Sequence, residues 1–298
     1  MKILLLGAAG QVGHELRRSL APLGELVVAT RTGALPDGGT GLVADLAEPA
    51  SLPPLVARVA PDLVVNAGAY TAVDQAEKEP ELAHRVNADA PGELARACAA
   101  AGIPLVHYST DYVFDGAGTR PYREDDATAP LGVYGASKLA GEEAVRASGA
   151  EHRIFRLCWV YGPRGRNFLL TMLRLAGERD VLRVVADQVG SPTPAAWIAD
   201  ATAAALAVPG KSGTWHLAAS GEASWHGFAS AIVAQAATRG LIARAPAVEA
   251  IDTAQFPTPA RRPHYSVLDT ARLQQDFGIR LPDWREGLGQ ALGDVPAR

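Results

Sequence analysis

The sequence predicts an α/β fold: a doubly wound parallel sheet with a smaller, partly interleaved substrate-binding lobe. Three observations carry that expectation. Short β-rich apolar runs alternate with helical patterns through the first half, and a glycine-rich turn directly follows the first run. After about residue 160 the alternation loosens and prolines gather at 192, 194, 257, 259 and 263. Runs that are apolar throughout, separated by helices, are the mark of parallel strands buried on both faces.

In chain order, KILLLG (2–7) reads as the first strand and ELVVAT (25–30) as the second. DLVVNAG (62–68), IPLVHYST (103–110) and HRIFRLCWVYG (152–162) follow as further strands. Helical patterns fill the intervals at 11–21, 51–59, 75–100 and 134–148. The organisation expected is a dinucleotide-binding domain over 1–160, to which later segments return, and a mainly substrate-binding lobe over 161–298. No internal repeat or low-complexity linker interrupts it.

Composition excludes several classes. A net charge of −4 without a basic block argues against a nucleic-acid surface. Two cysteines, Cys98 and Cys158, make neither a disulfide framework nor a zinc spacing and suit a reducing compartment. The opening apolar run ends at Gly7, too short for a signal peptide, and no stretch is long and apolar enough to span a membrane. A cytoplasmic protein is expected.

GAAGQVG (7–13) joins the first strand to a helix with GxxGxxG spacing. Gly7 permits a tight turn, Gly10 lets backbone approach a pyrophosphate and Gly13 lets helix pack on strand. Glycines at any sharp strand-to-helix turn would look the same. The position, opening a βαβ series, favours the dinucleotide reading. Asp45 and Leu46 lie where a carboxylate and an apolar side chain would flank an adenine, with Asp45 as a helix cap the alternative. NAGAYT (66–71) puts small residues at a strand's C-terminal end, where a ribose or nicotinamide needs room. The second strand ends in Thr30 and Arg31, not in the acid that receives a ribose 2′-hydroxyl in NAD-binding folds. Arg31 suits a 2′-phosphate, so NADPH is expected over NADH. A solvated surface cation is the alternative.

VYGASKLAGE (133–142) sets Tyr134 and Lys138 four apart in a chain with only four lysines among 28 basic residues. On a helix the two share a face. A lysine there is a compact charge that lowers a phenol's pKa and hydrogen-bonds ribose hydroxyls, tasks a planar guanidinium suits poorly. Tyr134 is thus a candidate proton donor. Ser109 and Thr110 end a strand at the edge where open α/β sheets bind ligands, and a hydroxyl there is placed to polarise a carbonyl. The histidines lack metal-ligand spacing, and no metal site is expected.

These residues resemble the short-chain dehydrogenase/reductase superfamily, extended branch, whose sheet is Rossmann-type. More narrowly they resemble the dTDP-4-dehydrorhamnose reductases, with STDYVFDG and DQVGSPT the most specific stretches of a likeness that covers nearly the whole chain. The resemblance implies Thr110, Tyr134 and Lys138 as catalytic residues. It implies Gly10, Gln11, Val12, Asp45, Leu46, Ala69, Tyr70, Thr71 and Tyr108 as cofactor contacts, and Asp111 and Trp159 as contacts to a nucleotide sugar. The implied reaction is reduction of the C4 ketone of dTDP-4-dehydro-L-rhamnose to dTDP-L-rhamnose. Some members bind Mg²⁺ through glutamates at a dimer interface. Glu15 matches one such position and the tail GLGQALGDVPAR offers it no partner, so the likeness admits a homodimer and Mg²⁺ without the residues supplying a metal site. A nucleotide-sugar epimerase or dehydratase is the rival within the superfamily, although Thr110 is followed by Asp111-Tyr112 and not by a second acid. A non-catalytic regulatory subunit like that of methionine adenosyltransferase is the rival from another class, against which the intact Tyr134 and Lys138 stand.

Overall fold

The computed structural model describes residues 1–295; the last three residues of the tail expectation lie outside it. Seven strands form the central sheet: β1 (Lys2–Leu6), β2 (Glu25–Thr30), β3 (Leu42–Val43), β4 (Leu63–Asn66), β5 (Leu105–Thr110), β6 (His152–Leu157) and β7 (Gly213–His216). Their order is β7-β6-β5-β4-β1-β2-β3 and every pairing is parallel. The α/β expectation is met.

The apolar runs are explained by burial on both faces. Ile3 and Leu5 of β1 point into a core with Val65, Val106 and Phe155, closed by Leu16 of the helix Gln11–Leu20 and Ile198 of the helix Ala195–Leu206. Leu4 and Leu6 point the other way, with Val64, Leu105 and Ile154, against Leu55 of the helix Leu52–Val59 and Leu94 of the helix Ala90–Ala101. Fully buried aliphatic side chains of this kind each contribute roughly 1.5–3 kcal/mol, so Ile3, Leu4, Leu5 and Leu6 of β1 anchor the sheet. After residue 160 the chain returns to this body three times, through the helix Ala195–Leu206, through β7 and through the helix Ala271–Phe277, whose Leu273 joins the first core. The remainder builds a third core from the helices Phe168–Glu178, Trp225–Thr238 and Trp284–Gly293, backed by Leu182 and Val184.

Two elements differ from expectation. The helix expected over 75–100 is broken into Val73–Ala76, Pro80–His84, a π-helical turn Arg85–Asp89 and Ala90–Ala101. Pro91 has no N–H to donate and its ring crowds the carbonyl four residues back, which the wider π turn relieves. The strand expected over 152–162 stops at Leu157. Trp159 adopts φ +43°, and Val160–Tyr161 pairs instead with Thr193–Pro194. A left-handed residue cannot continue a sheet ladder. No helix among the described residues is long and apolar enough to cross a membrane.

Candidate active site

Because all seven strands run one way, their carboxyl ends share one edge of the sheet. Gly7 follows β1, Arg31 follows β2, Asp45 and Leu46 follow β3, and Ala69, Tyr70 and Thr71 follow β4. Thr110 ends β5 with Asp111 next to it, and Trp159 follows β6. The strand order reverses between β1 and β4, the crevice where open α/β sheets take ligands.

The glycine loop sits at that crevice. A Cβ on Gly7 would come within 2.4 Å of the Gly68 nitrogen, and one on Gly13 within 2.1 Å of the Gly7 carbonyl, so neither position accepts a side chain. At Gly10 an added Cβ would meet nothing nearer than the Gly7 carbonyl at 3.3 Å. Loop and helix therefore close on each other at the two outer glycines and leave the middle one open, as a cradle for a pyrophosphate requires. Gln11 opens the helix and reaches the second lobe, where its Oε1 accepts from Asn167 Nδ2 at 2.8 Å. Val12 packs against the core beneath the loop. Asp45 accepts from the Ala47 N–H at 2.9 Å, a local turn and not a helix cap. The Leu46 methyl lies where a Gly68 side chain would be, lining the crevice with apolar surface. Arg31 is exposed, and Thr30 beside it is buried with its hydroxyl donating to the Ala34 carbonyl at 3.1 Å.

Asn87, which the sequence did not mark, ties the turn after β4 to the Tyr134–Lys138 helix. Its Oδ1 accepts from the Tyr70 N–H at 2.8 Å, and its Nδ2 donates to the Tyr70 carbonyl and the Ser137 hydroxyl, both at 3.0 Å. Asn87 is fully buried in the π-helical turn. Nothing in HRVNADAPG (84–92), where Asn87 stands among Arg85 and Asp89, singles it out in the sequence.

Tyr134 and Lys138 lie on the helix Val133–Ala147. Tyr134 stays partly exposed, and its ring meets Tyr112 edge-on at 5.7 Å. Burial pushes its phenol up to about 12; the neighbouring Thr110 hydroxyl pulls against that, and the Asp111 carboxylate adds to it. Lys138 is 2% exposed. Burial lowers its ammonium to about 8, against the opposing pull of Glu142 one turn along. Its Nζ donates to the Tyr108 carbonyl, so in this structure the lysine charge is held by backbone, and burial, not Lys138, dominates the Tyr134 phenol. The Tyr108 side chain itself points to the opposite face, where its hydroxyl meets Thr202 at 2.8 Å. Strand alternation likewise separates the two hydroxyls ending β5: Ser109 turns toward Glu142, whereas Thr110 donates to Asp111 Oδ1 at 2.9 Å. Glu142, fully buried, is gripped by Arg156 at 2.9 and 2.7 Å and fixes this helix against β6.

Trp159 forms the far wall. Its ring stacks on Trp225 with centroids 3.4 Å apart and covers Gly190, where a Cβ would come within 2.6 Å of the indole. That contact accounts for the glycine of DQVGSPT. Trp225 was not anticipated. Across the mouth, Arg262 of PTPARRP holds Asp74 with Nη2–Oδ2 at 2.8 Å and Nη1–Oδ1 at 3.0 Å. Glu15 lies on the helix Gln11–Leu20 beside Arg18, and no cluster of three or more His, Cys, Asp or Glu among the described residues could hold a metal.

A doubly wound sheet carrying a glycine loop, a strand-ending Thr and a Tyr-x-x-x-Lys helix on one edge defines an extended short-chain dehydrogenase/reductase. The RmlD substrate binding domain profile matches residues 1–296, and the chain belongs to that family. It is 48% identical to the dTDP-4-dehydrorhamnose reductase of Burkholderia thailandensis over 99% of each chain. It is 46% identical to that of Escherichia coli K12, covering 99% of this chain and 98% of the relative. Among solved structures, Bacillus anthracis dTDP-4-dehydrorhamnose reductase in complex with NADP superposes with a TM-score of 0.88 at 33% identity, over 98% of this chain and 99% of that one.

Proposed function

We propose that this protein reduces the C4 ketone of dTDP-4-dehydro-L-rhamnose to dTDP-L-rhamnose with NADPH, the dinucleotide held by the body built from residues 1–160 and the sugar nucleotide by the later lobe. The observation that carries the reading is the convergence of Thr110, Tyr134 and Lys138 beside the strand-order crevice. It occurs in a chain matched end to end by relatives bearing that name.

The residues present fit a dinucleotide: the open Gly10 and the helix N-terminus for the pyrophosphate, Leu46 and Asp45 for the adenosine, and the Ala69–Thr71 turn for the nicotinamide half. When bound, the dihydronicotinamide supplies a hydride to C4. Tyr134 gives its phenolic proton to the carbonyl oxygen, and solvent later restores it. At about 12 the phenol keeps its proton until oxyanion charge develops nearby. Lys138, charged below about pH 8 and bound to the Tyr108 carbonyl in this structure, would turn to the ribose hydroxyls and the phenolate once the dinucleotide is seated. Thr110 polarises the same carbonyl oxygen. The test is oxidation of NADPH on addition of dTDP-4-dehydrorhamnose, with the product identified by mass. Absence of turnover, or turnover to a C5 epimer or dehydrated sugar without NADPH consumption, would overturn the reading.

Cofactor choice rests on Arg31. Thr30 is enclosed, so an acid there would meet the Ala34 carbonyl and not a ribose; Arg31, next to it, is exposed and is the cation at this edge. Arg31→Ala is expected to lower the NADPH/NADH ratio of kcat/KM by roughly fivefold, a modest effect because water and salt screen an exposed pair. An unchanged ratio would leave Arg31 a surface cation only.

A further inference from the structure

The hydroxyl assigned to carbonyl polarisation is already committed elsewhere. A threonine hydroxyl has one proton and two accepting lone pairs. Thr110 Oγ1 accepts from the Tyr112 N–H at 3.2 Å and donates its proton to Asp111 Oδ1 at 2.9 Å. The other carboxylate oxygen accepts from the Cys158 thiol at 3.2 Å, and the Ser191 N–H is directed at that sulfur at 3.1 Å. Asp111 is 2% exposed. The groups that face it are the Tyr112 phenol on its own turn, the Tyr134 phenol on the helix Val133–Ala147, the Cys158 thiol beyond β6 and the Ser266 hydroxyl of the later lobe. Among the described residues no cation pairs with it; Arg262, the nearest in the chain of contacts, serves Asp74 and Tyr112. Every donor in this chain of hydrogen bonds therefore points at the carboxylate.

We propose that Asp111 is a positioning residue that sets the direction of the Thr110 proton, so that Thr110 can donate to a substrate carbonyl oxygen only when Asp111 carries a proton. With the carboxyl protonated, Oδ1–H donates to Thr110. The two lone pairs of Thr110 are then filled by Asp111 and the Tyr112 N–H, and its own proton is released toward the crevice. With the carboxylate ionised, turning Thr110 to substrate would leave a buried charge one donor short. Burial moves Asp111 up to about 6, opposed by hydrogen bonds from Ser266, Cys158 and Thr110, so the reversal falls where pH assays are routine. The inference rests on the reading of Thr110 as donor to the ketone.

The test is the ratio of kcat/KM for the unaltered enzyme to that of Thr110→Val, measured with dTDP-4-dehydrorhamnose and NADPH at pH 5 and pH 8.5. Titrations of Lys138 and substrate affect both proteins and cancel in the ratio, while Tyr134, pushed up to about 12 by burial, keeps its proton at both pH values. The expected ratio is about 10²-fold at pH 5, the usual worth of one oxyanion donor, falling to within about threefold at pH 8.5. Equal ratios above tenfold at both pH values keep Thr110 as donor and overturn the role of Asp111. A ratio near one at both values removes Thr110 from catalysis and the inference with it. Absence of turnover by the unaltered enzyme removes the underlying reading. A second variant covers the case in which Thr110→Val does not fold: Asp111→Glu, with its longer reach, should displace the fall of kcat/KM that accompanies rising pH near 6, and a fall unmoved by it would overturn the proposal.

Discussion

At the scale of single residues the site is governed by burial. Tyr134 holds its proton because part of its surroundings is dry, and removing only the hydroxyl should leave the fold intact. Tyr134→Phe is expected to lose about 10²–10⁴ in kcat, the usual worth of a general acid, with little change in dinucleotide affinity. Near-native turnover would assign the proton to another donor. Asp111 gives a second prediction, in stability. Its folded value, about 6, lies above the 3.8 of an exposed carboxyl. Between those values the folded chain binds the extra proton, so stability falls as pH rises from about 4 to 6, by up to about 3 kcal/mol. Asp111→Asn should abolish that slope. Urea unfolding of both proteins between pH 4 and 7 measures it, and a difference of the opposite sign would contradict the burial argument.

At the scale of elements, the irregular segment before Ala90 matters more than its length suggests. The π-helical turn places Asn87 so that one side chain fixes the backbone of Tyr70 and touches Ser137, one residue before Lys138. Gly141 permits this approach: a Cβ there would come within 2.0 Å of the Asn87 carbonyl. Asn87→Ala would leave the Tyr70 N–H and carbonyl without those partners. About 2–3 kcal/mol of stability should be lost, the cost of buried unpaired polar groups. The dinucleotide KM should rise as well, because the Ala69–Thr71 turn loosens. A mutant destabilised without any change in KM would detach this turn from cofactor binding.

At the scale of the whole molecule, the polar links between the lobes include two at the crevice, Gln11 with Asn167 and Asp74 with Arg262. Neither is deeply buried, and the second has side chains 20% and 41% exposed, so its stabilisation is modest, about 1 kcal/mol at most. Its effect on function should exceed that. Arg262→Ala is expected to raise the sugar-nucleotide KM several-fold while shifting the unfolding midpoint by only a few degrees. A large loss of stability with unchanged KM would mark the pair as a structural clamp alone. The most buried ion pair among the described residues is elsewhere: Arg156 and Glu142 are enclosed, and they seat the Tyr134–Lys138 helix on β6.

The sequence by itself determined the layers. Runs such as ILLL (3–6) and LVV (63–65) are apolar at every position, and only a strand covered on both faces has use for that. GAAGQVG, the Tyr134–Lys138 spacing and the position of Thr110 were legible for a related reason: each depends on neighbours a few residues away, joined by a turn or a helical repeat. What only the tertiary structure decided are contacts between distant segments. Asn87 meets Tyr70 through a π turn that propensity does not encode. Strand alternation, which cannot be phased until the core is known, separates Ser109 from Thr110. Lys138 turns to the Tyr108 carbonyl because burial leaves its charge no solvent. The direction of the Thr110 proton depends on Cys158 and Ser266, which reach Asp111 from 47 and 155 residues away along the chain. Local periodicity specifies which elements form, whereas hydrogen-bond direction in a dry site is fixed only once packing has excluded the water that would otherwise satisfy every group.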